Sequence, residues 1–309
     1  MNQKQSHEEK RQEEGHVVPD SRPRPVINHI GISGGKDSTA LLLWAVYESG
    51  YDPATLNATF CDTGNEHTFT YKHVEMLSKR VCPIEWLKPK RDFYELAKHK
   101  KRFPGVKSRF CTQELKIFPT RDHVKALVEA GNDIVLHSGV RAAESLARSK
   151  MVVREDIREY VSEFRPLLKW SIEDVWAIHA RYGIPPNPLY AMGARRVGCF
   201  PCIMSRKAEI ANIAQIAPEQ IDRIRREEGD WQSDGFFHGF FSRDKIPMRF
   251  RSRKIRTRDG RVMMVCTIDD VVAWATEKPD GTQQELRLGE LDTRAEDRTA
   301  CQSSWGSCE

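Results

Sequence analysis

Apolar and polar positions along this chain switch repeatedly between two periods. VINHIGIS, residues 26–33, is a β-branched apolar run suited to a buried strand, and STALLLWAVYESG reads as a helix closed by Gly50. LNATFCDTG predicts a second strand ending in a turn, TYKHVEMLSKRV a helix, and IEWLKP a third, short strand. TRDHVKALVEAG then predicts a helix, DIVLHSGV a strand, and SIEDVWAIHARYG a helix with Ser171 as its N-cap. In that last helix Val175, Trp176 and Ile178, with Trp170 just ahead, are expected to pack on the sheet as core. Strands alternating with helices imply an α/β fold with a doubly wound parallel sheet, whose ligands lie beyond the carboxyl ends of the strands.

After about Ser205 the pattern changes. PEQIDRIRREEGDW predicts a charged helix, and RFRSRKIRTRDGRVMMVCTI predicts a hairpin turning at Asp259-Gly260. The expected organisation is a disordered lead-in over 1–25, a nucleotide-binding domain over 26–205, a small appended helical and hairpin subdomain over 206–284, and a flexible tail over 285–309.

Composition narrows the class. Charged residues make up 30% of the 309, mean hydropathy is -0.59, and no apolar run approaches the roughly 20 residues that span a bilayer. The first 26 residues lack the apolar stretch of a signal peptide and the acid-poor composition of a transit peptide, so a cytoplasmic protein without membrane contact is expected. The formal net charge of +5 permits an anionic ligand without demanding one. Eight cysteines without a secretion signal point to buried thiols, metal ligation or redox chemistry rather than structural disulfides.

The most specific chemistry lies at the end of the first strand, in Ser33-Gly34-Gly35-Lys36-Asp37-Ser38. Two glycines let the backbone approach an anion, the helix start offers N–H donors and a positive dipole, and Lys36 adds a charge. A kinase-type phosphate loop needs Ser or Thr after the lysine, where this chain has Asp37, and the dinucleotide pattern GxGxxG is absent. Asp62, at the end of the second strand, can orient a ligand hydroxyl or a metal, or simply cap its turn. In GVRAAES, Arg141 is expected to face a phosphate or sulfate while Glu144 pairs with it, with Arg148 one turn further on. IPPNPLYAMG is read as a proline-fixed connector without chemistry of its own.

Cys199-Phe-Pro-Cys202 places two thiols where both can reach one metal or cluster, although a lone CxxC equally suits a redox pair or packing. From Arg249 to Arg261 a basic stretch includes Arg249, Arg251 and Arg253, which strand alternation would line along one side to meet phosphates, either a nucleotide's or a nucleic acid's.

SGGKDS, CDTGNEH, HSGVRAAESLARS and the long stretch from Arg165 to Cys202, in this order, resemble the phosphoadenosine phosphosulfate (PAPS) reductase family of the PP-loop superfamily, over roughly residues 27–205. The resemblance implies an adenine nucleotide alpha hydrolase-like, Rossmann-like fold. It also implies an adenine nucleotide (PAPS, APS or ATP) held by Ser33–Ser38, Asp62, Gly139, Arg141, Glu144 and Arg148. The implied reaction is thiol-dependent reduction of a small-molecule sulfonucleotide, with a thioredoxin-like reductant. In the cluster-bearing branch adjacent cysteines precede a later CxxC; aligned on Lys116, Cys111 matches the first and Thr112 replaces the second. This implies a 4Fe-4S cluster on Cys111, Cys199 and Cys202, with zinc as the alternative. The family's C-terminal Glu-Cys-Gly-(Ile/Leu)-His motif is absent, which leaves Cys308 and Cys301 as candidate nucleophiles. Two other readings remain open: a nucleic-acid sulfur-modifying enzyme of the phosphorothioation or thiolation type, and a non-catalytic nucleotide-binding module.

Overall fold

A computed structural model describes residues 23–230, 239–241, 246–256 and 260–277. Strands β1 (Val26–Ile32), β2 (Leu56–Cys61), β3 (Ile84–Leu87), β4 (Asp133–His137), β5 (Arg154–Arg158) and β6 (Val161–Phe164) form one sheet in the order β3-β2-β1-β4-β6-β5. All neighbours are parallel except β5, which runs antiparallel along the edge. The helices are α1 (Lys36–Tyr47), α2 (Thr68–Arg80), α3 (Phe93–His99), α4 (Phe110–Thr112), α5 (Phe118–Glu129), α6 (Leu146–Ser149), α7 (Ile172–Arg181), α8 (Lys207–Ile216), α9 (Pro218–Asp230) and α10 (Ile268–Thr276). The α/β fold with a doubly wound, mostly parallel sheet is therefore the observed one. None of these helices is long and apolar enough to cross a membrane among the described residues.

The strand pleat explains the layering. Ile30 and Ile32 of β1 face α1, α2 and α7, where Leu41, Leu42 and Leu43 are wholly buried, each contributing about 2 kcal/mol of apolar transfer. Ile27 points the other way, into a cluster with Val124 of α5 and Ile134 and Leu136 of β4. The chain steps outward from β1 to β2 and β3 and then crosses back to β4 on the other side of β1, so the topological switch point lies between β1 and β4.

Ser171 caps α7 as expected: Asp174 N–H donates to its hydroxyl at 3.1 Å and Ser171 N–H to the Asp174 carboxylate at 2.8 Å. Val175 and Ile178 are core, but Trp176 is 36% exposed, because its position turns away from α1. The β5–β6 hairpin has no counterpart in the predicted elements. Its outer strand, REDIR, carries one apolar residue and is exposed along most of its length, so it bears no strand-like apolar signal.

Beyond Ser205, α8, α9 and α10 share one apolar cluster with earlier segments. Ile210, Ile224 and Val271 pack with Phe93 and Phe110, and with Val197 and Phe200 of the cysteine loop. The expected hairpin is present as β7 (Arg253–Arg256) and β8 (Val262–Val265), with Gly260 at φ +81° in its turn.

One buried histidine sets a measurable pH dependence. His137 is 3% exposed, its Nδ1 lies 3.0 Å from Val135 O and its Nε2 3.0 Å from the Tyr51 hydroxyl, and burial lowers its pKa from 6.5 to about 4. A lowered base binds its proton more readily in the unfolded chain, so its contribution is full above about pH 6.5 and is lost as pH falls toward 4. The stability advantage of wild type over His137→Phe is expected to shrink by about 2 kcal/mol between pH 7 and pH 5 in urea titrations. A constant difference would show that His137 takes up its proton normally.

Candidate active site

The glycine loop leaves β1 at the switch point and folds on itself. Ser38 Oγ accepts from Ser33 N–H at 3.2 Å and donates to Gly35 O at 3.1 Å, while Ser33 Oγ accepts from Gly35 N–H at 3.2 Å. Gly34 sits at φ +78°, and a Cβ there would lie 2.7 Å from Thr70 Cγ2, so both conformation and space require glycine. Helix α1 opens at Gly35 without a side-chain cap, leaving its first N–H groups to find partners from elsewhere.

Asp37 is the hub. It is 1% exposed, and its two carboxylate oxygens take Lys36 Nζ and Arg141 Nε, each at 2.6 Å. Arg141 arrives from the loop after β4, and that loop can close in because Gly139 has no Cβ; one there would stand 3.2 Å from Asp37 O. Two cations expected to hold an anion are thus gathered on one buried acid. The expected Arg141–Glu144 side-chain pair is not formed. Glu144 instead accepts the Arg141 backbone N–H at 2.9 Å and ion-pairs with Arg148, because the local turn points the Arg141 guanidinium into the fold. Arg148 is itself buried, at 5% exposure.

A second layer grips the loop from the far side. Asn187 Nδ2 donates to Gly34 O at 3.3 Å, Lys36 N–H donates to the Tyr190 hydroxyl at 2.9 Å, and His179 Nε2 meets Lys36 O at 2.9 Å. The IPPNPLYAMG stretch is therefore more than a connector, which corrects the sequence reading. The contacts that reveal this join residues more than 140 positions apart, beyond any local pattern. Asp62 behaves as a turn cap, its Oδ1 accepting Gly64 N–H at 3.0 Å, and it also takes the Tyr71 hydroxyl at 2.9 Å.

Turning to the thiols, the loop carrying Cys199 and Cys202 is pinned to the turn after β2. Phe200 N–H donates to Asn65 O at 2.6 Å, Asn65 Nδ2 donates to Pro201 O at 3.0 Å, and Glu66 and Cys199 pair as an antiparallel bridge. CDTGNEH thus positions the cysteine loop, a role the sequence did not disclose. Buried Glu66 lies 3.8 Å from Cys199 Sγ, and burial raises its pKa.

Burial pushes the Cys111 thiol up to about 11, and the nearby Cys202 pushes the same way while Lys116 opposes it. Cys199 is raised too, chiefly by burial, with Glu66, Cys202 and Cys111 adding to the shift and Lys116 opposing it. Cys111, Cys199 and Cys202 thus influence one another electrostatically, with Lys116 opposing. Among the described residues no three His, Cys, Asp or Glu side chains close on a single ion. Soft thiols beside a cation are the donor chemistry that an iron–sulfur cluster or zinc takes.

Comparison with known proteins settles the family. The phosphoadenosine phosphosulfate reductase domain matches residues 28–205, more than half of the chain and all of the geometry above. The chain belongs to the PAPS reductase family. An uncharacterized protein of Escherichia phage 186 is 32% identical, over 92% of this chain and 97% of the phage protein. An adenosine 5'-phosphosulfate reductase of Burkholderia cepacia is 28% identical over 46% of this chain, which covers 57% of that reductase. The crystal structure of a PAPS reductase from Candida auris, a phosphate complex, has a TM-score of 0.44 at 20% identity, over 59% of this chain and 84% of that one.

The PAPS reductase match ends before the basic hairpin, and the hairpin departs from its expected form. Arg249 lies in a short 3-10 turn and ion-pairs with Glu277 at 2.9 Å, while Arg251 donates to Ile246 O at 2.8 Å. Only Arg253 of that trio is on β7, so the three do not form an alternating stripe. Proline-directed turning at Pro247 starts the strand later than alternation alone would place it. The candidate nucleophiles Cys301 and Cys308 lie outside the described residues.

Proposed function

We propose that this PAPS reductase family member is an enzyme that binds the anionic end of a sulfonucleotide at the switch point and passes its sulfuryl group to a thiol. The supporting observation is the meeting of Lys36 and Arg141 on Asp37 beside a helix start whose N-cap, Gly35, has no side chain to cap it. Each cation has further N–H donors beyond the one spent on Asp37, and these suit phosphate or sulfate oxygens. Ser33, Gly34, Gly35, Ser38 and Gly139 shape the backbone around that anion, and Glu144 holds Arg148 at the loop's edge.

In the proposed reaction a cysteine thiolate, with Cys308 and Cys301 as candidates, attacks the sulfuryl sulfur. The bond from that sulfur to the phosphate oxygen breaks, and the nucleoside phosphate leaves with the electron pair. A dithiol of the thioredoxin class then attacks the sulfocysteine, releasing sulfite and becoming oxidised to a disulfide. Cys111, Cys199 and Cys202 are the residues that would hold a 4Fe-4S cluster, which supplies a redox-active, strongly polarising centre when bound. Lys116 favours the thiolate forms needed for ligation.

The test is sulfite release by anaerobically purified full-length protein given adenosine 5'-phosphosulfate or its 3'-phosphorylated form with thioredoxin. Sulfite appearing one-for-one with nucleoside phosphate, and lost in Arg141→Ala, is expected. Sulfonucleotide that binds yet yields no sulfite from either form would overturn the enzymatic reading.

A further inference from the structure

We infer that Tyr190 is a latch on the anion loop: its hydroxyl holds the Lys36 N–H that an incoming anion must take, so binding evicts it. The inference rests on the anion-binding reading above and goes beyond it to a residue that opposes binding.

The donor in question is at the first residue of α1, a helix whose N-cap glycine offers no side chain of its own. Tyr190 supplies the missing cap from 154 positions away, accepting Lys36 N–H at 2.9 Å. Its ring has two close neighbours. Trp176 meets it edge-to-face with centroids 5.6 Å apart, and Lys36 Nζ stands 5.9 Å from the ring centre. The same segment also grips Gly34 O through Asn187, so the loop is held closed by side chains of one stretch of chain.

A neutral phenol oxygen and an anionic oxygen compete for one N–H, and the charge-assisted bond is the stronger. Evicting the phenol nevertheless costs the bond it makes, and that cost is subtracted from the anion's affinity. The same stretch of chain leads on to the cysteine loop. Cys199 lies nine positions after Tyr190. Between them Gly193 sits at φ +88°, where a Cβ would stand 3.2 Å from the Asn212 side-chain oxygen of α8.

The probe is inorganic pyrophosphate, titrated into full-length wild type and Tyr190→Phe, which keeps the ring against Trp176 and removes only the hydroxyl. Tighter binding by about 5-fold is expected in Tyr190→Phe, the size of one neutral hydrogen bond. Wild-type tryptophan fluorescence is expected to change with pyrophosphate, and the change to disappear in Trp176→Phe. A merely structural tyrosine would give weaker binding on removal, never tighter. Weaker binding by Tyr190→Phe, with wild type still binding, would overturn the latch and make the hydroxyl a ligand of the anion. Pyrophosphate and sulfonucleotide both failing to bind either protein would overturn the anion-loop reading together with the latch.

Discussion

Asp37→Ala is expected to cost about 3–5 kcal/mol of stability, a fall of about 10 °C in Tm, and to abolish nucleotide binding. The reason is burial: Lys36 and Arg141 side chains are 14% and 8% exposed, and each relies on Asp37 at 2.6 Å. Without the acid, two like charges face one another with little water to screen them. The loops after β1 and β4 would lose the contact that joins them across the switch point. Asp37→Asn keeps the shape and one acceptor, so it is expected to fall between wild type and alanine. Thermal melts of the three proteins at pH 7.5 measure this; an alanine variant melting within about 2 °C of wild type would mean that the cations do not depend on Asp37.

The second large effect concerns the thiols. Protein purified without air is expected to carry iron and acid-labile sulfide in equal amounts, and Cys111→Ser, Cys199→Ser and Cys202→Ser are each expected to fall to background. Serine offers a hard, weakly acidic hydroxyl where soft thiolate ligation is needed, so partial retention is not expected. Cys266→Ser is the comparison, since that buried thiol lies in the apolar cluster of α10 and is expected to leave the iron content unchanged. Zinc in place of iron, or a reconstituted wild type that holds neither metal, would contradict the cluster assignment.

The fold was largely legible where burial and periodicity agree. VINHIGIS, the leucine run of α1 and the Ser171 cap each carry their own local signal, and each is where the pattern places it. β5 escaped because an exposed edge strand needs no apolar face. At the site, the glycine turn announced itself, since Gly34 is required by its own backbone angle. The partners of Arg141 did not. Spacing favours Glu144, three residues on, whereas the guanidinium reaches Asp37, 104 residues away, because only the packed β1 and β4 ends bring them together. Tyr190 and Asn65 escaped for the same reason, as their hydrogen bonds exist only once the cysteine stretch folds back over the sheet's edge.

The most direct test of the central claim, that a sulfonucleotide is held where β1 and β4 diverge, is a calorimetric titration with adenosine 5'-phosphosulfate. Wild type and Arg141→Met would be compared. One saturable site in wild type, weakened about 100-fold in the variant, is the expected result, reflecting loss of a charge-assisted pair of about 3 kcal/mol. Equal affinity in the two proteins would place the nucleotide elsewhere and contradict the account.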